Sequence, residues 1–228
     1  MKPKGFTLLE LLVAMAIFSV VLSASYALFA ATRGAARRAE FKAELFQTAR
    51  AALRAVEEDL RGAVMTGSAF DTGLIGTHGG SAKLPLDRLE LVTVSGRPSG
   101  FTVKNYDRPE ELAQRSDVVQ VRTWIEEDAS RKARGLVRER RYDLLPISAR
   151  TTREEDVEEL AREVVGLDLR YYDTEWRDSW DGMQNRRMPK AVEVTVHVRG
   201  VWNDEEILET FTSRVYLPVA AETPERRE

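Results

Sequence analysis

The feature that most constrains this chain is an apolar stretch from Phe6 to Ala31 that contains one charged residue, Glu10. A helix of that length measures about 39 Å, whereas the hydrocarbon core of a bilayer is about 30 Å thick. The stretch therefore predicts a membrane-spanning helix. A charged side chain at the midplane of a bilayer costs about 2.5–3.5 kcal/mol or more, and less near the end of the span. We expect Glu10 to need a partner from outside its own helix.

The residues around the start of this stretch form a recognisable motif. A short basic leader ends at Gly5, Phe6 begins the apolar run, and Glu10 is its fifth residue. The sequence GFTLLE at positions 5–10 resembles the prepilin peptidase site shared by type IV pilins and the pseudopilins of type II secretion. The resemblance implies that prepilin peptidase removes the leader 1–5, that Phe6 is then N-methylated, and that Glu10 helps the subunit to join a helical fibre.

The chemistry of the motif fits that role. Cleavage after Gly5 would expose a cationic amine on Phe6, since a free α-amino group has a pKa of about 8. Methylation would keep this charge. Inside the membrane, the amine of one subunit and the carboxylate of Glu10 on its neighbour would satisfy each other.

Two simpler interpretations compete with this one. The stretch could be an ordinary single-pass anchor, or a secretory signal in which Ser25-Tyr26-Ala27 resembles a small-residue cleavage site. The length of the apolar run and the presence of Glu10 argue against a signal. Charge does not settle the orientation, because basic residues flank both ends: Lys2, Lys4, Arg33, Arg37 and Arg38. The resemblance implies a single-pass inner-membrane protein with a cytoplasmic N-terminus and a periplasmic C-terminal domain.

Composition excludes several classes of function. The net charge is −3, and the first 31 residues contribute +1 from two lysines and one glutamate, so the remainder carries −4. Nucleic-acid binders normally show a clustered basic face, so no nucleic-acid partner is expected. The absence of cysteine excludes cysteine nucleophiles and zinc–thiolate sites. It also means that a periplasmic domain of this size must be stabilised by packing rather than by disulfides.

Helical periodicity continues beyond the apolar stretch. Apolar residues recur every three to four positions with charged residues between them: Phe41, Leu45, Ala52, Leu53, Val56 and Leu60. This spacing predicts an amphipathic helix. We expect one unbroken helix from Phe6 to about Gly62, with transmembrane residues 6–31 and a periplasmic continuation at 32–62.

Residues 63–221 predict a β-rich globular domain. Segment 66–87 is rich in Gly, Ser and Thr and predicts a loop, the charged segment 152–162 predicts a short surface helix, and the tail 222–228 predicts disorder. Strand patterns occur at 89–94, 118–125, 136–142, 164–172, 192–198 and 207–217, with a turn at 126–135 and a bend near Gly200. Short connections favour antiparallel pairing. The predicted fold class is α+β, a long N-terminal helix packed on an antiparallel β-sheet domain.

The C-terminal part of the chain indicates which family of this superfamily the sequence resembles. The segment 165–173, the residues Trp176 and Trp180, and the segment 188–196 are similar to the closing region of the minor pseudopilin J family of type II secretion. That similarity implies a pseudopilin fold at the tip of a periplasmic fibre. It also implies that minor pseudopilins I and K are neighbours and that pseudopilin H links the tip to the major pseudopilin. The competing interpretation is a minor pilin of a type IV pilus or competence machinery.

The two tryptophans are the candidate partner contacts of the domain. Trp176 and Trp180 stand in a polar segment, and Trp is enriched at binding hot spots. The alternative is that both fold back onto the sheet as part of the core. The same segment carries four acids, Asp173, Glu175, Asp178 and Asp181. Their spacing matches no loop with defined calcium ligands, which favours solvated charges and leaves calcium as the open alternative.

Catalytic, metal and cofactor motifs are not apparent. His197 falls on the polar side of an alternating strand, and we expect it to be solvated or hydrogen-bonded. His78 lies in a Gly-rich stretch that lacks the Gly-Lys-Ser/Thr ending of a phosphate-binding loop, so it predicts a mobile connector. No Ser/His/Asp arrangement with a nucleophile elbow is recognisable. The sequence therefore predicts an assembly protein with no catalytic residues, no metal ligands and no cofactor; a membrane-tethered hydrolase that uses Asp/Glu pairs is the distant alternative.

Overall fold

A computed structural model describes residues 7–65, 73–94, 118–141 and 157–217. The leader 1–5, Phe6 and the tail 222–228 lie outside these residues. The chain divides into two compact units, Met1–Glu44 and Leu45–Glu228.

One helix, α1, extends over Leu8–Arg61. It continues through Gly34 without a break and ends beside Gly62, where the sequence predicts a stop. Its buried residues recur at helical spacing and form one stripe in its C-terminal part: Leu45, Ala49, Ala52, Leu53, Val56, Asp59 and Leu60. An apolar stripe of this kind requires a packing partner, which the β-sheets of the second unit supply.

The second unit contains two antiparallel sheets. The strands are β1 Ile75–Thr77, β2 Arg88–Val94, β3 Val118–Glu126, β4 Gly135–Arg141, β5 Val157–Ala161, β6 Val164–Tyr172, β7 Trp176–Arg177, β8 Trp180–Asp181, β9 Ala191–Trp202 and β10 Glu205–Tyr216, with a short helix α2 at Gly182–Asn185. The six-stranded sheet has the order β5-β4-β3-β2-β1-β8, and the four-stranded sheet has the order β10-β9-β6-β7. The predicted α+β class is confirmed.

Helix α1 contacts both sheets through its last four turns. The Phe46 and Phe211 rings meet edge to face at 5.9 Å between centroids, and the hydroxyl of Ser213 donates a hydrogen bond to Glu57. Asp59 pairs with Arg138 of β4. The core between helix and sheets is aliphatic, with Val56, Leu60, Leu89, Leu91, Val119, Val121, Leu136, Leu167, Leu169, Val194 and Val196 nearly inaccessible to solvent.

The hairpins follow the predicted pattern with one shift. β3 and β4 pair across the turn at 127–134. The bend expected near Gly200 lies farther along, because Gly200 pairs with Ile207 inside the β9–β10 ladder. Asn203 and Asp204 make the turn with φ values of 52° and 65°. Positive φ at both central residues is typical of the type I′ turn, whose twist matches that of paired strands.

The predicted surface helix at 152–162 is wrong where the structure describes it. Val157–Ala161 form strand β5, which pairs antiparallel with β4. Glu158 lies opposite Arg138 in the ladder, and their side chains form an ion pair of 2.8 Å. Pairing with an existing strand edge outweighs the local helix preference of a charged segment.

The predicted loop at 66–87 is wrong in part. Its described residues include β1, which pairs with β2 on one side and β8 on the other. The polar segment that carries the two tryptophans likewise contains β7 and β8. Strands of two or three residues carry too little periodicity to be predicted, so only their tertiary pairing reveals them.

Candidate functional site

The apolar part of α1 is fully exposed in the single chain. Every residue from Thr7 to Glu40 is exposed, including large side chains such as Leu8, Phe18 and Leu28, which are 78%, 67% and 71% exposed. The helix is long and apolar enough to cross a membrane by length and composition. A continuous apolar surface of this kind needs lipid or other helices to cover it, so it is the first candidate assembly surface.

Glu10 lies in the first turn of α1. The backbone N–H of Glu10 donates to the Thr7 hydroxyl at 3.3 Å, so Thr7 caps the helix. The spacing Thr7-x-x-Glu10 is that of a capping box, a helix-start signal that overlaps the GFTLLE motif. The positive end of the helix dipole also favours an acid at this position. Within the described residues, the Glu10 side chain has no ion-pair partner. Gly5 and Phe6 lie outside the described residues.

Trp180 belongs to the core rather than to the surface. It is 3% exposed, its indole N–H donates to the Arg187 carbonyl at 3.3 Å, and its ring lies 6.5 Å from that of Tyr171. Strand β8 brings it there by pairing with β1. This placement matches the core alternative for Trp180 and leaves almost none of its surface available to a partner.

Trp176 is half-buried and contacts Arg214 of β10. Because Ser213, the preceding residue, contacts α1, strand alternation places Arg214 and Trp176 on the opposite face of the four-stranded sheet. The Trp176 ring centroid is 4.9 Å from the guanidinium of Arg214 and 5.7 Å from that of Arg170. The Tyr172 ring lies 5.1 Å away. Arg214 also pairs with Glu193 at 2.6 Å, and this hydrogen bond raises the pKa of Arg214. We call Trp176, Tyr172, Arg170 and Arg214 the Trp176 patch; its residue types are those that often dominate binding interfaces.

The acids between Asp173 and Asp181 each have a protein partner. Asp173 is buried and pairs with Arg187 at 2.5 Å and Lys190 at 3.6 Å. Glu175 pairs with Arg177, and Asp178 pairs with Arg170. Asp181 caps α2 by accepting hydrogen bonds from the N–H groups of Met183 and Gln184. In the described part of the chain these carboxylates do not converge on a common point.

The two histidines lie in different environments. His197 Nδ1 is 3.3 Å from the Thr210 hydroxyl on the neighbouring strand, as its position on the polar side of β9 predicts. His78 directly follows β1, and its Nδ1 lies 2.9 Å from Asp87 Oδ1. The following turn is closed by a hydrogen bond from the N–H of Leu86 to the carbonyl of Gly79. Gly80 adopts φ 79° in this turn, which only glycine does readily. The Gly-rich stretch is therefore a hydrogen-bonded turn.

Comparison with known proteins gives two matches that together cover most of the chain. Residues 1–26 match the model of the prokaryotic N-terminal methylation motif. Residues 27–209 match the model of type II secretion system protein J. No curated protein and no solved structure matches the chain.

Proposed function

Because the chain belongs to the type II secretion system protein J family and is a minor pseudopilin, we propose that it assembles at the tip of the periplasmic pseudopilus. Its neighbours there would be minor pseudopilins I and K, with H joining the tip to the major pseudopilin. The family match over residues 27–209 is the observation that carries this proposal, and it favours type II secretion over a type IV pilus. The methylation motif at residues 1–26 supports the same assignment.

The proposed mechanism is assembly rather than catalysis. Prepilin peptidase cuts after Gly5, Phe6 is methylated, and α1 holds the subunit in the inner membrane with its C-terminal domain in the periplasm. Helices of neighbouring subunits then cover the exposed apolar surface of α1. Burial of that surface contributes about 25 cal/mol per Å² before the costs of ordering. An ATPase outside this chain moves the fibre.

Glu10 supplies the specific contact in this assembly. Its carboxylate lies in the apolar part of the helix, and the described residues give it no ion-pair partner. A charge in a membrane interior is stabilised by pairing, and the methylated amine of a neighbouring Phe6 is a cation at the same depth. Glu10 lies in the first turn of α1, where the positive end of the helix dipole favours a carboxylate.

This role of Glu10 is tested in cells that contain the secretion system and prepilin peptidase. Glu10→Ala and Glu10→Gln should be trimmed normally and fail to support secretion, since both remove the charge. Glu44→Ala is the matched control, because Glu44 is an exposed acid of the same helix beyond the apolar run. Full secretion by Glu10→Gln would overturn the proposal.

A separate experiment tests the cleavage site. Gly5→Val should leave an uncut precursor that migrates more slowly on a gel, because the peptidase would no longer find the residue that precedes the cut. N-terminal sequencing of the wild-type mature protein should begin at Phe6. A different first residue would contradict the site assignment.

The Trp176 patch is the proposed contact with a neighbouring minor pseudopilin. Trp and Arg dominate many interfaces, and here two guanidinium groups hold the indole ring in place before any partner arrives. Less conformational entropy is then lost on binding.

Comparison of the two tryptophans tests this contact. Trp176→Ala should weaken pull-down of pseudopilin I or K at least about tenfold, with little change in the thermal midpoint. Trp180→Ala should lower the midpoint, because it empties a core position, and should weaken binding only through unfolding. If the Trp176→Ala protein is less stable but binds its partner normally when folded, the Trp176 patch contributes to stability and not to partner binding.

A further inference from the structure

Three potential metal ligands from distant parts of the sequence meet in the second unit. They are His78 after β1, Asp87 just before β2 and Asp168 on β6. One ligand atom from each lies within 4.8 Å of the other two. The first two belong to the segment that enters the six-stranded sheet, and the third belongs to the four-stranded sheet. The cluster therefore lies where the two sheets are joined.

Asp87 is the buried centre of this cluster. It is 0% exposed, and its Oδ1 accepts a hydrogen bond from the Gly79 N–H at 3.0 Å while Oδ2 accepts one from the Leu169 N–H at 2.7 Å. These two bonds fix the orientation of the carboxylate, as outer-shell hydrogen bonds do for metal ligands. Burial raises the pKa of Asp87 above its usual value. A cation at this point would offset the cost of burying the charge.

A second, independent feature is the hydroxyl of Tyr171. It is fully buried and has no hydrogen-bond partner in the described part of the chain. The hydroxyl lies against the backbone of Gly76, where a Cβ atom would come within 1.9 Å of it. Burial raises its pKa, and the nearby charges of Asp87 and Asp168 raise it further. A buried hydroxyl without a hydrogen-bond partner, on which the charges of both carboxylates act, indicates a polar environment that the described protein atoms leave incomplete.

We propose that His78, Asp87 and Asp168 bind a divalent transition-metal cation, with Zn²⁺ as the best match. One imidazole nitrogen and two carboxylate oxygens form a mixed ligand set that suits Zn²⁺ better than Ca²⁺ or Mg²⁺, which prefer oxygen ligands alone. His78 Nδ1 lies 2.9 Å from Asp87 Oδ1, a hydrogen-bond distance. Two tetrahedral Zn²⁺ ligands at about 2.0–2.1 Å from the ion are about 3.3 Å apart, so a deprotonated Nδ1 and Oδ1 would separate by about 0.4 Å to hold the ion. The His78 side chain is about half exposed, which gives the ion an entry path and leaves room for a water ligand.

The consequence would be a cross-link between the two sheets. The chain has no cysteine, so disulfides cannot provide one. A metal ion that binds the folded state and not the unfolded chain stabilises the fold according to its concentration and affinity. This site differs from the sequence prediction of no metal ligands, and it is separate from the acids at 173–181.

The test uses the full-length protein in detergent, purified with an affinity tag that contains no histidine and stripped with a chelator. Calorimetric titration with Zn²⁺ should give one site per chain. At a free Zn²⁺ concentration about 100 times the Kd, the thermal midpoint should rise by about 5–10 °C. Ca²⁺ and Mg²⁺ at the same concentration should leave it unchanged.

Variants assign the ligands. His78→Ala and Asp168→Asn should each weaken Zn²⁺ binding at least about tenfold, whereas His197→Ala should bind like the wild type. His197 is the matched control because it is the only other histidine of the chain. Circular dichroism checks that each variant is folded. Because His78 and Asp168 are changed in separate variants, the test remains valid if one of the two variants does not fold. No saturable binding, equal binding by His78→Ala and the wild type, or stabilisation by Ca²⁺ in place of Zn²⁺ would overturn the proposal.

Discussion

At the scale of single residues, Asp59 links helix and sheet most directly. Its two carboxylate oxygens lie 3.0 Å from Arg138 and 3.2 Å from Arg140, both on β4. Asp59 is 4% exposed and Arg138 is 6% exposed. Burial of Arg138 opposes its charge, but Asp59 and Glu158 more than compensate and raise its pKa, so it stays cationic. Removing either buried partner would leave the other as an uncompensated charge.

Asp59→Ala should therefore lower the free energy of unfolding by about 3–5 kcal/mol, measured by urea denaturation. Glu158→Ala is the matched control, because Glu158 pairs with the same Arg138 but its side chain is 55% exposed. The Glu158→Ala change should lower the free energy of unfolding by no more than about 1 kcal/mol. Equal decreases in the free energy of unfolding of the two variants would show that burial does not determine how strongly each acid stabilises the fold through Arg138.

At the scale of elements, the β9–β10 hairpin shows how strand pairing and packing against α1 together determine the register of two strands. The ladder pairs all twelve residues of β10, from Glu205 to Tyr216, with β9. Residues on one face of β10 contact α1, as Phe211 and Ser213 do. On the other face, the Thr195 and Thr212 hydroxyls are 2.9 Å apart. Register is fixed because a shift by one residue would exchange these two faces.

The turn of this hairpin gives a prediction. Asp204→Gly should raise the free energy of unfolding by about 0.5–1 kcal/mol, because Asn-Gly is the preferred pair for a type I′ turn and glycine adopts a positive φ without strain. Asp204→Ala should lower it, since alanine is strained at the observed φ of 65°. Thermal unfolding of both variants beside the wild type measures the difference. A lower midpoint for Asp204→Gly would contradict the turn assignment.

At the scale of the whole molecule, the two units differ in what surrounds their side chains. Among the described residues, every buried apolar residue lies at Leu45 or later. The helix before that point has exposed apolar side chains, which need lipid or partner helices. The first unit therefore depends on lipid or partner helices for its stability, whereas the second unit is stabilised by its own buried core.

A fragment that begins at residue 32 should consequently fold as a soluble monomer. It keeps the whole buried core, so we expect its thermal midpoint to lie within about 2 °C of that of the corresponding transition in the full-length protein in detergent. Differential scanning calorimetry and sedimentation measure both properties. Titration with pseudopilin I or K, the proposed partners, should still show binding through the second unit. Aggregation of the fragment would indicate that the N-terminal unit shields part of the fold.

The sequence alone determined the features that arise from neighbouring residues. These features are the apolar run that carries Glu10, the helical stripe through Leu45 and Leu60, and the alternation in β6 and β9. Helix α1 and strand β6 formed where these patterns predict, and β9 did too but continues to Trp202, beyond the predicted end at 198. Only the tertiary structure decided the features that depend on a partner far along the chain. Val157–Ala161 became a strand by pairing with β4, and Trp180 entered the core because β8 pairs with β1. The meeting of His78, Asp87 and Asp168 likewise depends on how the two sheets join, and no local pattern encodes that contact.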